Sequence, residues 1–282
     1  MKKCIITAET TCDLSKELIE KHGFKLIPIT IILNDKEYKD GINITSEELF
    51  EYVASSGKLP KTAALSVGEY EDFFAEVKKE CETIIHFSIS SKASSTIENA
   101  RKAAENIGNV YVIDTKALST GEALLMLKAS DMLEEGAEPQ AVYDEICKTA
   151  DKVQTSFVLD TLDNMHKGGR CSSAALFGSK LLKIHPFIYE NDGALSVKKK
   201  YMGTLSRSLL FYVSDLRDEN PSYDARRVFI THSPCDGREN IELVINKVKE
   251  LFDFEEIIET QAGATVSTHC GKNTIGVLFI NK

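Results

Sequence analysis

Three times in the first hundred residues a hydroxyl side chain stands three positions ahead of a glutamate, at the start of an amphipathic run. The pairs are Thr45 with Glu48, Ser66 with Glu69, and Ser95 with Glu98. In this capping-box spacing the hydroxyl accepts from a first-turn N–H while the carboxylate reaches back to the cap's own N–H, so each pair predicts a helix start. Between these starts lie short apolar runs at 3–8, 25–33, 83–89 and Val110–Asp114, which read as β-strands. Asp13 can cap a further helix carrying Leu14, Leu18 and Ile19, which Gly23 would end. Another helix follows Asp114 and ends near Gly136. One more begins at Pro139, a residue suited to a first helical turn. Strands that alternate with helices pair mostly in parallel, because each helix serves as the crossover and covers a sheet face.

The pattern changes after about residue 152. Residues 155–159 are strand-like and residues 174–182 have helical character. Residues 186–190 and 194–198 flank Asn191-Asp192-Gly193, whose residue types tolerate the left-handed backbone of a hairpin turn. Strand signals at 228–231, 255–259 and 274–280, with a helix from Asp236 to Phe252, complete the chain. The expected fold class is α/β, with two α/β domains. Residues 1–152 should hold a mostly parallel sheet with flanking helices, and residues 153–282 a mixed or antiparallel sheet with helices. No long linker or internal repeat separates them, so they should share an extensive interface.

Charge narrows the partners. The chain has 34 Lys and Arg against 43 Asp and Glu, a net charge of −9. Nucleic acid rewards concentrated cations, so no nucleic-acid partner is expected. Lys198-Lys199-Lys200 reads as a solvated strand or turn. The seven cysteines are odd in number and scattered, which is not a disulfide framework. The first apolar run is too short for a signal peptide, and Glu9 and Asp13 follow it at once. No run approaches the roughly 18 apolar residues of a membrane span. The expected compartment is the cytoplasm.

Five polar, small-residue clusters fall at the ends of predicted strands, where open α/β sheets bind ligands. They are Glu9–Asp13, Lys61–Ser66, Ser88–Thr96, Gly168–Arg170 and Ser267–Gly271. Each has a plainer reading. Ser66 and Ser95 suit helix caps, Gly168-Gly169 suits a helix stop, and His22, His86, His166, His185 and His232 suit structural hydrogen bonding. Thr62 is harder to explain as a cap. Ser94 precedes the best capping residue, so its hydroxyl is available to a ligand, and the N–H groups of the following helix start favour an anion. His269 is flanked by hydroxyl and glycine residues. The chain has no G-x-S-x-G elbow, no Walker-type phosphate loop and no zinc-ligand spacing. Cys12 and Cys270 fall inside a cluster and Cys171 directly follows one, without the pattern of a metal or thiol site. The residues alone lead to a two-domain α/β protein that binds an anion at a hydroxyl-rich cleft.

The same clusters, in the same order, resemble the DegV family over almost the whole chain. The family's Asp-Ser-polar-x-Asp-Leu segment corresponds to Glu9–Leu14, and its Thr-Ser-Gln-Pro-Ser stretch to Thr62–Ser66. Its Ser-Ser-x-Leu-Ser-Gly-Thr stretch corresponds to Ser90–Thr96. Leu159-Asp160-Thr161-Leu162 and Gly168-Gly169-Arg170 are nearly intact, and the terminal Gly-x-His-x-Gly-Pro-Gly motif falls on 267–273. Glu9 replaces Asp, Ala63 replaces Ser, Ser95 replaces Gly, and the last motif lacks its Pro-Gly. Tyr201-Met202-Gly203 stands where the family often has an arginine.

The resemblance implies two α/β domains with an acyl chain buried between or within them. It implies that Thr62, Ser94 and His269 hold a long-chain fatty acid's carboxylate, with Arg170, Ser95 and Thr96 near the site and no cofactor or metal. It also implies a separate, ATP-using fatty acid kinase subunit as partner, no catalytic residue in this chain, and scope for a transient contact with a membrane surface. Two alternatives stay open: a hydrolase or transferase using Ser94 and His269, and a lipid-sensing regulator with no kinase partner.

Overall fold

The computed structural model describes residues 2–171 and 184–282. The helical reading of 174–182 lies outside them. The first half runs β1 (Lys2–Glu9), α1 (Lys16–His22), β2 (Lys25–Ile27), β3 (Thr30–Leu33), β4 (Lys36–Lys39), α2 (Ser46–Ser56), β5 (Lys61–Ala63), α3 (Val67–Val77), β6 (Cys81–Ser88), α4 (Thr96–Ile107), β7 (Val110–Asp114), α5 (Thr120–Glu134) and α6 (Pro139–Thr149). The second half runs β8 (Val153–Gln154), β9 (Ser156–Val158), α7 (Asp163–Gly168), β10 (Ile184–Asn191), β11 (Ala194–Met202), α8 (Leu205–Glu219), β12 (Tyr223–His232), α9 (Glu239–Leu251), β13 (Glu256–Gln261), α10 (Ala264–Cys270) and β14 (Ile275–Asn281).

A four-stranded parallel sheet has the order β2-β1-β6-β7. From β1 the chain winds outward to β2 on one side, while β6 and β7 extend the other. The order therefore reverses between β1 and β6, and the two adjacent carboxyl ends, Glu9 and Ser88, flank a switch-point crevice. A small antiparallel sheet, β4-β3-β5, stands apart. The seven-stranded mixed sheet has the order β11-β10-β9-β14-β12-β13, with β8 on β14. It is antiparallel except for β12 and β13, and it draws only on strands from Val153 onward. The hairpin of β10 and β11 turns at Asp192-Gly193, both with positive φ, as the turn sequence predicts.

Helix α5 explains how the halves join. Ten of its residues, Thr120–Leu127 with Ala129 and Ser130, are buried, so the helix is covered on most of its surface. It packs in one continuous core with Ile85, Phe87 and Ile113 of the parallel sheet and with Phe229, Leu278 and Ile280 of the mixed sheet.

The Thr45–Glu48 and Ser66–Glu69 capping boxes form with both reciprocal bonds. The Ser95–Glu98 box does not. Ser95 has φ −81° and ψ 2° with no side-chain cap bond, and Ser94 Oγ instead accepts from Thr96 N at 3.2 Å. Asp13 does not cap α1 either. It lies in the left-handed region (φ 51°) at the end of a 3-10 turn, and Ser15 is the cap, accepting from Leu18 N. The 25–33 run splits at Pro28, which has no N–H for a ladder, so β2 and β3 join different sheets. Helix α8 carries buried Leu209, Tyr212, Val213 and Leu216, a helical periodicity that sequence reasoning misses. Its Asp215 and Glu219 pair with Lys199 and Lys198, so these two cations are already neutralised.

At the switch point the Glu9 carboxyl is completely buried. It accepts from Tyr70 Oη, from Ser88 Oγ at 2.9 Å and from Ile89 N at 3.1 Å, and it meets His86 Nε2 at 3.1 Å. His86 Nδ1 meets Thr7, and Tyr70 Oη also reaches Thr96 Oγ1 at 2.9 Å. This network ties β1, β6, α3 and the start of α4 together. Removing one donor to a buried carboxyl typically costs about 1.5–3 kcal/mol. Tyr70→Phe should therefore lower unfolding free energy by that amount in urea titrations. An unchanged midpoint would mean the network does not carry the switch point.

Candidate functional site

Against the switch point lies a cavity of about 560 Å³. Its walls come from both halves: Thr11 after β1, Ile29 before β3, Thr62 and Ala63 of β5 with Ala64 after it, Ile89 and Ser91–Ser95 before α4, Glu98 of α4, Leu118, Met165, Arg170, Leu195, and Thr265, Val266, His269 and Cys270 of α10. A large part of its wall is apolar. Leu118, Met165, Leu195, Val266 and Cys270 belong to one buried cluster against which Ile89 packs.

Helix α10 brings the predicted histidine to the first half of the chain, and its own start fixes it there. Gly263 N donates to Asp13 Oδ1 at 2.8 Å. Ala264 N and Thr265 N donate to the two Asp40 oxygens at 2.9 and 3.0 Å. First-turn N–H groups lack intrahelical acceptors, so carboxyl groups from two distant segments complete this helix. Burial pushes both acids above their ordinary range, against the opposing effect of these hydrogen bonds. At the other end of α10, His269 Nε2 lies 3.1 Å from Thr62 Oγ1, joining residues 207 positions apart. His269 Nδ1 is buried with no hydrogen-bond partner among the described residues. It faces Gly168, where an added Cβ would lie 2.6 Å from Nδ1. Gly168 therefore permits the ring's position, while Gly169 (φ 69°) ends α7, the helix-stop role its sequence suggests.

The other expected site residues divide. Ser94 and Ser95 line the cavity. Ser94 Oγ accepts from Thr96 N, which leaves its own O–H to donate. Thr96 is fully buried and turns toward Tyr70, not into the cavity. Arg170 is exposed at the rim, where Nη1 donates to Gly168 O at 2.8 Å and Nε to Ala93 O at 3.4 Å. Cys171 and Cys270 share one apolar cluster, whereas Cys12 packs in another. Burial pushes the Cys270 thiol up to about 12 and Cys12 well above its ordinary value, so both stay protonated and unreactive. Four other histidines are structural: His22 meets Ser130, His86 meets Thr7 and Glu9, His185 lies against Asp160, and His232 meets the Ser233 carbonyl. Sequence reasoning missed Asp40, for which no local signal exists, and the apolar wall, whose residues come from five separate segments.

His269 is pushed down to about 4, chiefly by burial and secondarily by the Arg170 guanidinium. The folded value lies below the unfolded one of about 6.5, so the unfolded chain takes up the proton first as pH falls. The stability tied to the neutral ring is complete above pH 6.5 and is lost progressively toward pH 4, by about 3 kcal/mol at most. Urea titrations across this window should show a steeper loss for the parent protein than for His269→Gln. Parallel curves would contradict a neutral, desolvated ring.

The family model described as an uncharacterised protein of the DegV family matches residues 3–282. A DegV domain-containing protein of Caldanaerobacter subterraneus subsp. tengcongensis is 28% identical over 284 residues, covering 100% of both chains. A DegV family protein from Thermus thermophilus, described by its fatty acid binding, has a TM-score of 0.90 at 24% identity and covers 99% of this chain and 100% of its own. A stearic acid-binding protein from Eubacterium ventriosum has a TM-score of 0.86 at 25% identity and covers 100% of this chain and 99% of its own. With its full length matched and the switch-point cavity in place, this chain belongs to the DegV family.

Proposed function

We propose that the protein binds one long-chain fatty acid in this cavity, in the cytoplasm, and presents the carboxylate to a separate ATP-dependent fatty acid kinase subunit. The observation that carries the reading is the Thr62–His269 pair in a hydroxyl-rich part of a cavity that Leu118, Met165, Leu195, Val266 and Cys270 line with apolar side chains. A 16-carbon chain has about 14 methylenes, worth roughly 0.8 kcal/mol each when fully buried, or about 11 kcal/mol as an upper bound. Burying the carboxylate without donors would oppose that gain.

The hydroxyl-rich part supplies donors. A neutral His269 that carries its proton on Nε2 donates to Thr62 Oγ1, and this frees the Thr62 hydroxyl to donate to the ligand. The bare Nδ1 is then the atom left without a partner, which agrees with its surroundings. Ser94 offers a second hydroxyl from the start of α4, where the helix end favours negative charge. Related proteins described as fatty acid-binding share the fold, and the stearic acid-binding one is 25% identical. Presentation to a kinase rests on the family resemblance, on the exposed position of Arg170 at the rim, and on the absence of a phosphate-binding loop in the sequence.

The geometry favours binding over hydrolysis. His269 Nε2 faces Thr62, not Ser94, and no acidic group orients Nδ1 among the described residues. A ring pushed down to about 4 is a weak general base.

Titration with a fluorescent long-chain acid and with its methyl ester tests the head-group assignment. Thr62→Val and Ser94→Ala should each weaken binding of the acid by about 1.5–3 kcal/mol, the range for a lost hydrogen bond to a charged group, and spare the ester. His269→Ala should still retain lipid but fail in kinase-dependent acyl phosphate formation. If the Thr62 and Ser94 variants bound acid and ester as the parent does, the carboxylate would sit elsewhere.

A further inference from the structure

Beyond the main cavity lies a second, much smaller void of about 20 Å³. Phe157, Ala262, Gly276 and Leu278 contribute to its apolar wall. The two spaces share three lining residues, Leu118, Val266 and Cys270. Val266 and Cys270 are four residues apart on α10 and so form one ridge along it. Leu118, just ahead of α5, belongs to the same buried cluster. All three are less than a tenth exposed.

We propose that this partition of Leu118, Val266 and Cys270 sets the length of acyl chain the protein accepts. The inference rests on the fatty acid reading above and adds the determinant of its ligand class. With the carboxylate at Thr62, Ser94 and His269, the apolar cluster that supplies Met165 and Leu195 to the cavity leads to the partition and continues past it, because Phe157 and Ala262 on the far side belong to the same cluster. The chain's methyl end therefore abuts side chains, not backbone, and side chains can be shortened. The far void exceeds the roughly 10–15 Å³ that a single water needs, yet its wall is almost wholly apolar, so a terminal methyl or methylene suits it better than water does. Removing the Val266 methyls or most of the Leu118 side chain joins the two spaces end to end.

The test is a binding profile over saturated acids of 12 to 22 carbons for the parent, Val266→Ala and Leu118→Ala, each first shown to be folded by its thermal unfolding transition. The parent profile should rise and then fall beyond a limiting length. Both variants should move that limit to longer chains, with about a fourfold affinity gain for each added methylene that finds room. The two substitutions approach the partition from different elements, so if one fails to fold the other still decides the matter. A parent that binds with a clear limit, beside folded variants whose limit is unchanged, would overturn the partition and leave the fatty acid reading intact. A parent that takes up none of these acids would overturn both.

Discussion

Two carboxyl groups hold the helix on which the site depends. Helix α10 lies near the end of the chain, yet Asp13 and Asp40 accept its first N–H groups. The anchor positions His269 beside Thr62 and turns Val266 and Cys270 toward the cavity. Because the helix is only seven residues long, it has little intrinsic stability of its own. Tertiary fastening at its start is what gives the imidazole a fixed place.

The cavity arises from topology as much as from side chains. The reversal of strand order between β1 and β6 leaves two loops diverging from adjacent carboxyl ends, and the Glu9 network keeps those ends in register. Helix α5 is buried between the parallel and the mixed sheet, so the second half closes over that crevice. Its Met165, Leu195, Val266 and Cys270 join Ile89 and Leu118 of the first half in the cavity's apolar wall, while the first half's loops at Thr62 and Ser91–Ser95 bring hydroxyl groups to it. A ligand with a charged head and a long apolar tail matches this division.

Much of the fold was legible because it rests on local rules. Two capping boxes, the Pro139 helix start, the Asp192-Gly193 turn and the buried strands all depend on residues a few positions apart. The misreadings involve competition that local spacing does not reveal. Asp13 has the right residue type to cap α1, but Ser15 does so and Asp13 serves a helix 250 residues away. Ser95 has the right spacing, but Ser94 takes up the nearby N–H. At the site, Thr62, Ser94 and His269 stood out through residue type and family resemblance. The apolar wall did not, because Leu118, Leu195 and Val266 look like any other core residue until the chain folds.

The central claim is that this cavity holds one fatty acid. Its most direct test is mass spectrometry of ligand released by denaturing protein that was purified without added lipid. The account expects long-chain fatty acid at close to one molecule per chain. An empty extract, with no uptake of added palmitate or oleate, would contradict it.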